Sequence, residues 1–132
     1  MARCGIIPSG RSSETLFNQK DIHMHLTHIF AAGSGFRVLD TTERSQTGLL
    51  TLEPGEATGE KPSRHEDSDQ TLILLAGELR AEIGDDKETM EDGDAVLVPA
   101  KTPHRFINTG KSRATTFSVY AKPAFPPDKE SD

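Results

Sequence analysis

Along the middle of the chain, apolar residues come in short runs separated by turn residues, a rhythm that predicts strands and leaves little room for helix. Phe36 to Leu39 and Gly48 to Leu52 are the first candidates, the second closed by Pro54-Gly55, a dipeptide suited to a tight turn. The longest apolar run, Leu72-Ile73-Leu74-Leu75-Ala76, has the length of a buried strand and continues to Ile83 with a bend or break around Gly77. In its second half Leu79, Ala81 and Ile83 share one face and Arg80 and Glu82 the other, so one face is expected buried and one wet. Gly84-Asp85-Asp86 then turns the chain into Lys87 to Met90, and Glu91-Asp92-Gly93-Asp94 turns it into Ala95 to Val98, both hairpin signals. A loop after Pro99 leads to His104 to Asn108. Asn108-Thr109-Gly110 leads to a last strand in which Phe117, Val119 and Ala121 oppose Ser118 and Tyr120. About eight strands, with no helical stretch between them, predict an all-β antiparallel jelly roll or barrel.

The ends read differently. Residues 1–30 form an N-terminal arm in which Leu16-Phe17 could add a short strand, residues 31–121 form the barrel, and residues 122–132 form a flexible tail. The tail is assigned on Pro123, Pro126 and Pro127, which cannot donate to a ladder, and on the charged run that follows. In the arm, His23, His25 and His28 have neither an acid nor a cysteine at ligand spacing, so a solvated segment is expected there.

Composition narrows the function. A chain of 132 residues fits one domain, and its 33% hydrophobic and 5% aromatic content requires a core built mainly of Leu, Val, Ile and Ala. The net charge of −6 and the lack of a long basic run argue against a nucleic-acid partner. The apolar start at Cys4 to Ile7 is interrupted by Pro8, too short for a signal peptide, and no run approaches a membrane span. Cys4 is the one cysteine, so no intrachain disulfide forms; a reducing compartment, the cytoplasm, is the expectation.

Ser63 and His65 lie two apart and share a face if extended. A solvent-facing loop from Glu66 to Asp69 lets Gln70 open the next strand with its side chain toward the same cavity as Leu72 and Leu74. His104 arrives from another hairpin, with Pro103 holding Thr102 extended. Two imidazoles converging from distant segments have the geometry a first-row divalent ion needs.

These segments resemble the paired motifs of the cupin family. The first motif, a glycine, two histidines, an acid and a closing glycine, falls on Ser63, His65, Gln70 and Gly77. The second falls on Gly93, Pro99, Lys101, His104 and Asn108, and departs in residue type only at Lys101, where the family prefers glycine. The resemblance runs from Gly48 to Ala121. It implies a double-stranded β-helix whose mouth holds a metal on three histidines and a glutamate. Here Ser63 and Gln70 replace a histidine and the acid, so metal affinity should fall. The resemblance leaves His65 and His104 as ligands with Gln70 third, for iron, manganese, nickel, copper or zinc. Gly93 and Asn108 are assigned to turn geometry, since glycine supports positive φ and asparagine caps local backbone. The resemblance also implies a cavity lined by Ser63, His65, Gln70, Leu72, Leu74, His104 and Phe106 that accepts a small organic molecule. Two classes stay open: a binding or sensor module in which the histidines hydrogen-bond a ligand, and a metal-dependent oxygenase or isomerase. A homodimer is expected, because a small sandwich has edges to cover.

Overall fold

The computed structural model describes residues 24–131. Among them the strands are β1 (Gly35–Thr41), β2 (Ser45–Leu52), β3 (Asp69–Ala76), β4 (Glu78–Ile83), β5 (Asp86–Glu91), β6 (Ala95–Val98), β7 (His104–Ile107), β8 (Ala114–Ala121) and β9 (Glu130–Ser131). They form two antiparallel sheets, one of six strands in the order β6-β3-β8-β2-β1-β9 and one of three in the order β5-β4-β7. This is the double-stranded β-helix, or jelly roll. A single 3₁₀ turn at Ile29–Ala31 is the helical element among the described residues, and none of their helices is long and apolar enough to cross a membrane. Cys4, Leu16, Phe17 and His23 lie outside the described residues.

The long apolar run divides where the sequence bends it. At Gly77 the chain leaves β3 and enters β4 in the other sheet with φ +109. A Cβ there would stand 2.7 Å from the Ala114 Cα and 2.8 Å from the Arg113 carbonyl oxygen, so only glycine fits. The wet face assigned to β4 is wet only in part. Arg80 is exposed, but Glu82 is 6% exposed, held by Arg80 Nη2 at 2.6 Å and Arg105 Nη2 at 3.0 Å. The carboxylate takes the burial because two guanidinium groups satisfy it. Their hydrogen bonds, Arg80 first, hold its pKa below the usual glutamate range.

Burial sorts the interior into two ends. Leu52, Leu72, Leu74, Leu79, Ala81, Met90, Val98, Phe106 and Ala114 form one apolar cluster between the sheets. Toward the other end the inward residues turn polar. On β3, Leu74 and Leu72 give way to Gln70; on β8, Thr116 is followed inward by Ser118 and Tyr120, while Val119 and Ala121 face out. The inner surface of β8 is therefore its polar and aromatic face, an arrangement that calls for a cavity rather than packed hydrocarbon.

The segment after Lys122, expected to be loose, instead crosses this polar end and docks. Glu130 pairs with Arg37 and Ser131 with Phe36, and the Val38 amide donates to the Lys129 carbonyl at 3.0 Å. The carboxamide of Gln46, on a residue only 1% exposed, donates to the Phe125 carbonyl at 2.8 Å and accepts the Ala124 and Phe125 amides at 3.0 Å each. Prolines keep the strap out of a regular ladder, and one buried side chain supplies the partners a ladder would have supplied.

Candidate ligand-binding site

At the polar end a cavity of about 470 Å³ opens between the sheets, within the usual range for small-molecule sites. Ser63, His65, Gln70, His104 and Phe106 all line it. Leu72 and Leu74 do not; both are fully buried in the apolar cluster, because residues farther along β3 than Gln70 lie below the cavity floor.

The two histidines are brought together by a short antiparallel bridge. Ser63 donates its amide to the His104 carbonyl at 3.0 Å and accepts the His104 amide at 2.8 Å, which carries His65 to the same wall. The ring centroids lie 5.1 Å apart. His104 is 7% exposed, and its Nδ1 meets the Thr102 carbonyl at 2.9 Å. A carbonyl only accepts, so Nδ1 carries the proton, and a neutral ring keeps its lone pair on Nε2. His65 is held from outside as well: its carbonyl accepts the Lys101 amide at 2.7 Å, and Lys101 Nζ donates to the Glu66 carbonyl at 3.0 Å. Lys101, at the motif position where glycine is preferred, adopts φ +69, a left-handed conformation that a lysine enters at a cost.

Gln70 is 4% exposed. Its Nε2 donates to Ser118 Oγ at 3.0 Å and to the Tyr120 hydroxyl at 3.4 Å, while Oε1 is buried with no hydrogen-bond partner among the described residues. Oε1 faces His65 closely enough to favour the ring's protonated form without reaching hydrogen-bond geometry. Burial and the neighbouring His104 outweigh that help and lower the His65 pKa. Burial also pushes the Tyr120 hydroxyl up to about 12, against a small opposing effect of Ser118, so the phenol stays neutral.

Aromatic rings close the remaining walls. Phe125 of the strap lies 5.4 Å from His65, 5.4 Å from Tyr120 and 4.7 Å from Phe36, centroid to centroid. Gly48 on β2 leaves room for two of these rings, since a Cβ there would stand 3.0 Å from Phe36 and 3.3 Å from Tyr120. Leu50 and Leu52 complete the apolar side.

This sequence of strands, bearing two histidines at one end of a jelly roll, has known relatives. A model described as the cupin domain matches residues 48–120. The chain belongs to the cupin family. Protein L612 of Acanthamoeba polyphaga mimivirus is 31% identical over 99 residues, an alignment covering 73% of this cupin and 61% of that protein. Among solved structures, BH2720 of Bacillus halodurans matches with a TM-score of 0.69 at 29% identity, covering 74% of this chain and 76% of its own. TT1209 of Thermus thermophilus matches with a TM-score of 0.67 at 27% identity, covering 75% and 98%.

A metal is implied by the cupin resemblance, and the donors present do not fit a tightly held ion. His65, His104 and the Gln70 carboxamide offer neutral atoms only. Glu56 reaches the cavity wall, but its Oε1 accepts the Glu53 amide at 2.8 Å within its own turn. The acids nearest in sequence are engaged elsewhere: Glu66 with Arg64, and Asp67 with Lys122. Among the described residues no three of His, Cys, Asp and Glu gather in metal-binding geometry. His25 pairs with Asp40 at 3.0 Å on the exposed arm, away from the cavity lining.

Several lining residues are expected from the sequence only as strand residues and not as part of the site. Tyr120, Leu50 and Leu52 lie on the inward faces of β8 and β2, so alternation carries their signal. Phe36 reaches the cavity through its pairing with Leu50. Phe125 sits among prolines, where no period operates, and nothing local marks it.

Proposed function

We propose that this cupin binds a small organic molecule in the cavity between its sheets, using His65, His104, Gln70 and Ser63 for polar contact and the Phe106 and Phe125 rings for apolar contact. The observation that carries this reading is a cavity of small-molecule size on which two histidines, distant along the chain, converge beside Gln70 and Tyr120. A divalent ion, where present, is held weakly by His65 and His104 with Gln70 Oε1 third, since no anionic ligand offsets its charge. The protein acts as a homodimer through the outer face of its larger sheet.

Elemental analysis of protein purified without an affinity tag, before and after dialysis against excess iron or zinc, tests the reading. Substoichiometric metal is expected in both cases. Near-stoichiometric iron, manganese, nickel, copper or zinc that disappears in His104→Ala would overturn it and favour a metal-dependent oxygenase or isomerase. Gln70→Glu should tighten divalent binding at least tenfold, because a carboxylate adds charge at the ion. Unchanged affinity in a calorimetric titration would show that Gln70 does not face the ion.

A further inference from the structure

Three kinds of wall enclose the cavity, and they are held with unequal strength. The first is the two sheets. The second is the segment from Glu56 to His65, which backbone bonds fasten to β7 and its end. The Asn108 amide donates to the Glu56 carbonyl at 2.8 Å, the Thr58 amide donates to the Phe106 carbonyl at 2.9 Å, and Ser63 exchanges both bonds with His104. Arg105 Nη1 donates to the Gly59 and Glu60 carbonyls besides. The third wall is the strap, which contributes Phe125 and Lys129. None of residues 122–130 is buried, and none belongs to the apolar cluster between the sheets. What holds the strap to the body is polar: the Gln46 carboxamide, the Val38 amide on the Lys129 carbonyl, and the two-residue pairing of β9 with β1. Each of these groups meets water when the strap leaves, so opening trades these bonds for bonds to water and leaves the core intact.

We propose that the strap is the gate of the cavity: it swings off β1 about Lys122, lifts Phe125 away from His65 and Tyr120, and admits ligand to the histidine end. The proposal rests on the cavity being the ligand site, and it adds how that site is opened. In the closed strap the Phe125 ring packs against His65 and Tyr120, so lifting it uncovers both. The pivot is fixed. Lys122, where the strap leaves β8, adopts φ +39, a left-handed conformation that costs a lysine energy. Its carbonyl accepts the hydroxyl of the buried Ser68 at 2.6 Å, and its Nζ meets Asp67 at 3.0 Å. Beyond that point Pro123, Pro126 and Pro127 restrict φ, and the Lys129 amide closes a turn on the Pro126 carbonyl at 3.0 Å. The segment therefore moves as a stiff flap and does not unravel residue by residue.

A removable bridge tests this on the full chain. Arg37 and Glu130 face each other across the β1–β9 pairing and both are exposed. Arg37→Cys with Glu130→Cys, in a Cys4→Ser background, places a disulfide that locks the strap and that reduction unlocks. The probe is diethyl pyrocarbonate, which acylates neutral imidazole, read site by site by mass spectrometry with the exposed His25 and His28 as internal references. His65 is expected to react at least tenfold more slowly in the oxidised protein than in the reduced protein, with His25 and His28 unchanged. Gln46→Leu, which unlatches the strap, should speed the His65 reaction at least tenfold over the unaltered chain. Equal His65 rates in the oxidised and reduced protein overturn the gate and leave the ligand site standing. Where the bridge does not form, equal rates in Gln46→Leu and the unaltered chain do the same. His65 left unmodified in every form after His25 and His28 have reacted fully overturns both the gate and the ligand site.

Discussion

His65 resists protonation in the folded chain because burial and the adjoining His104 both disfavour a positive ring there, and the opposing pull of Gln70 Oε1 is weaker. Tyr120, which packs against it, stays neutral, so its hydroxyl adds no negative charge to reverse the sign. The folded pKa lies below the ordinary histidine value of 6.5. Between the two values the unfolded chain binds more protons than the folded one, so stability rises with pH through that window. The penalty appears as pH falls below 6.5 and stops growing below the folded pKa. Urea midpoints at pH 5.5 and 7.5 should therefore move closer together in His65→Asn than in the unaltered chain. An equal separation in both proteins would refute the assignment of this pH dependence to His65. The identity of this histidine was readable from motif spacing. Its environment was not, because Tyr120 and Phe125 reach it only through tertiary packing.

At the scale of elements, the strap after Lys122 is tied down by a buried residue of β2. Gln46 uses its full hydrogen-bonding capacity: Nε2 donates to Thr41 Oγ1 at 2.9 Å and to the Phe125 carbonyl, and Oε1 accepts two backbone amides. Gln46→Leu removes all of these and leaves backbone groups unpaired, each worth about 1–3 kcal/mol when buried. The expected result is release of the strap rather than a strained closed form. Amides of residues 124–131 should exchange with deuterium at least tenfold faster, while those of β3 and β8 keep their protection. With the Phe125 ring gone from above it, His65 should titrate closer to its ordinary value by NMR. Protection unchanged at residues 124–131 would show that β9 pairing alone holds the segment. Strand boundaries and the break at Gly77 could be read from alternation and turn chemistry, because both are local. The docking of the strap could not be read, since its prolines announce an irregular backbone and say nothing of a distant glutamine. The burial of Glu82 escaped for the same reason: alternation assigns a face, and only the fold supplies Arg105 from β7 to neutralise it.

For the whole molecule, strand register and pleat define the outer face of the six-stranded sheet. Leu97 stands beside Thr71, which stands beside Val119, and the next row aligns Ala95, Ile73 and Phe117 and ends at Leu49, which the chain itself already buries. Both rows are free of charge from β6 to β2, and charged side chains resume on β1 at Arg37 and Asp40. Leu97 is 57% exposed and Val119 36% exposed. A face of this kind on a chain of net charge −6 is suited to a second copy of itself, because two like-charged molecules can meet there without opposing charges at the contact. A two-fold axis through the face would set the same residues of both protomers against each other. Light scattering at tens of micromolar should give twice the 14.4 kDa chain mass. Leu97→Lys with Val119→Lys should return the monomer mass, because four desolvated ammonium groups would crowd one interface. These side chains point away from the cavity, so the variant should keep the amide shifts of Gln70 and His104. A monomer mass for the unaltered chain at that concentration ends the dimer proposal, and a dimer that survives both lysines moves the interface to another surface.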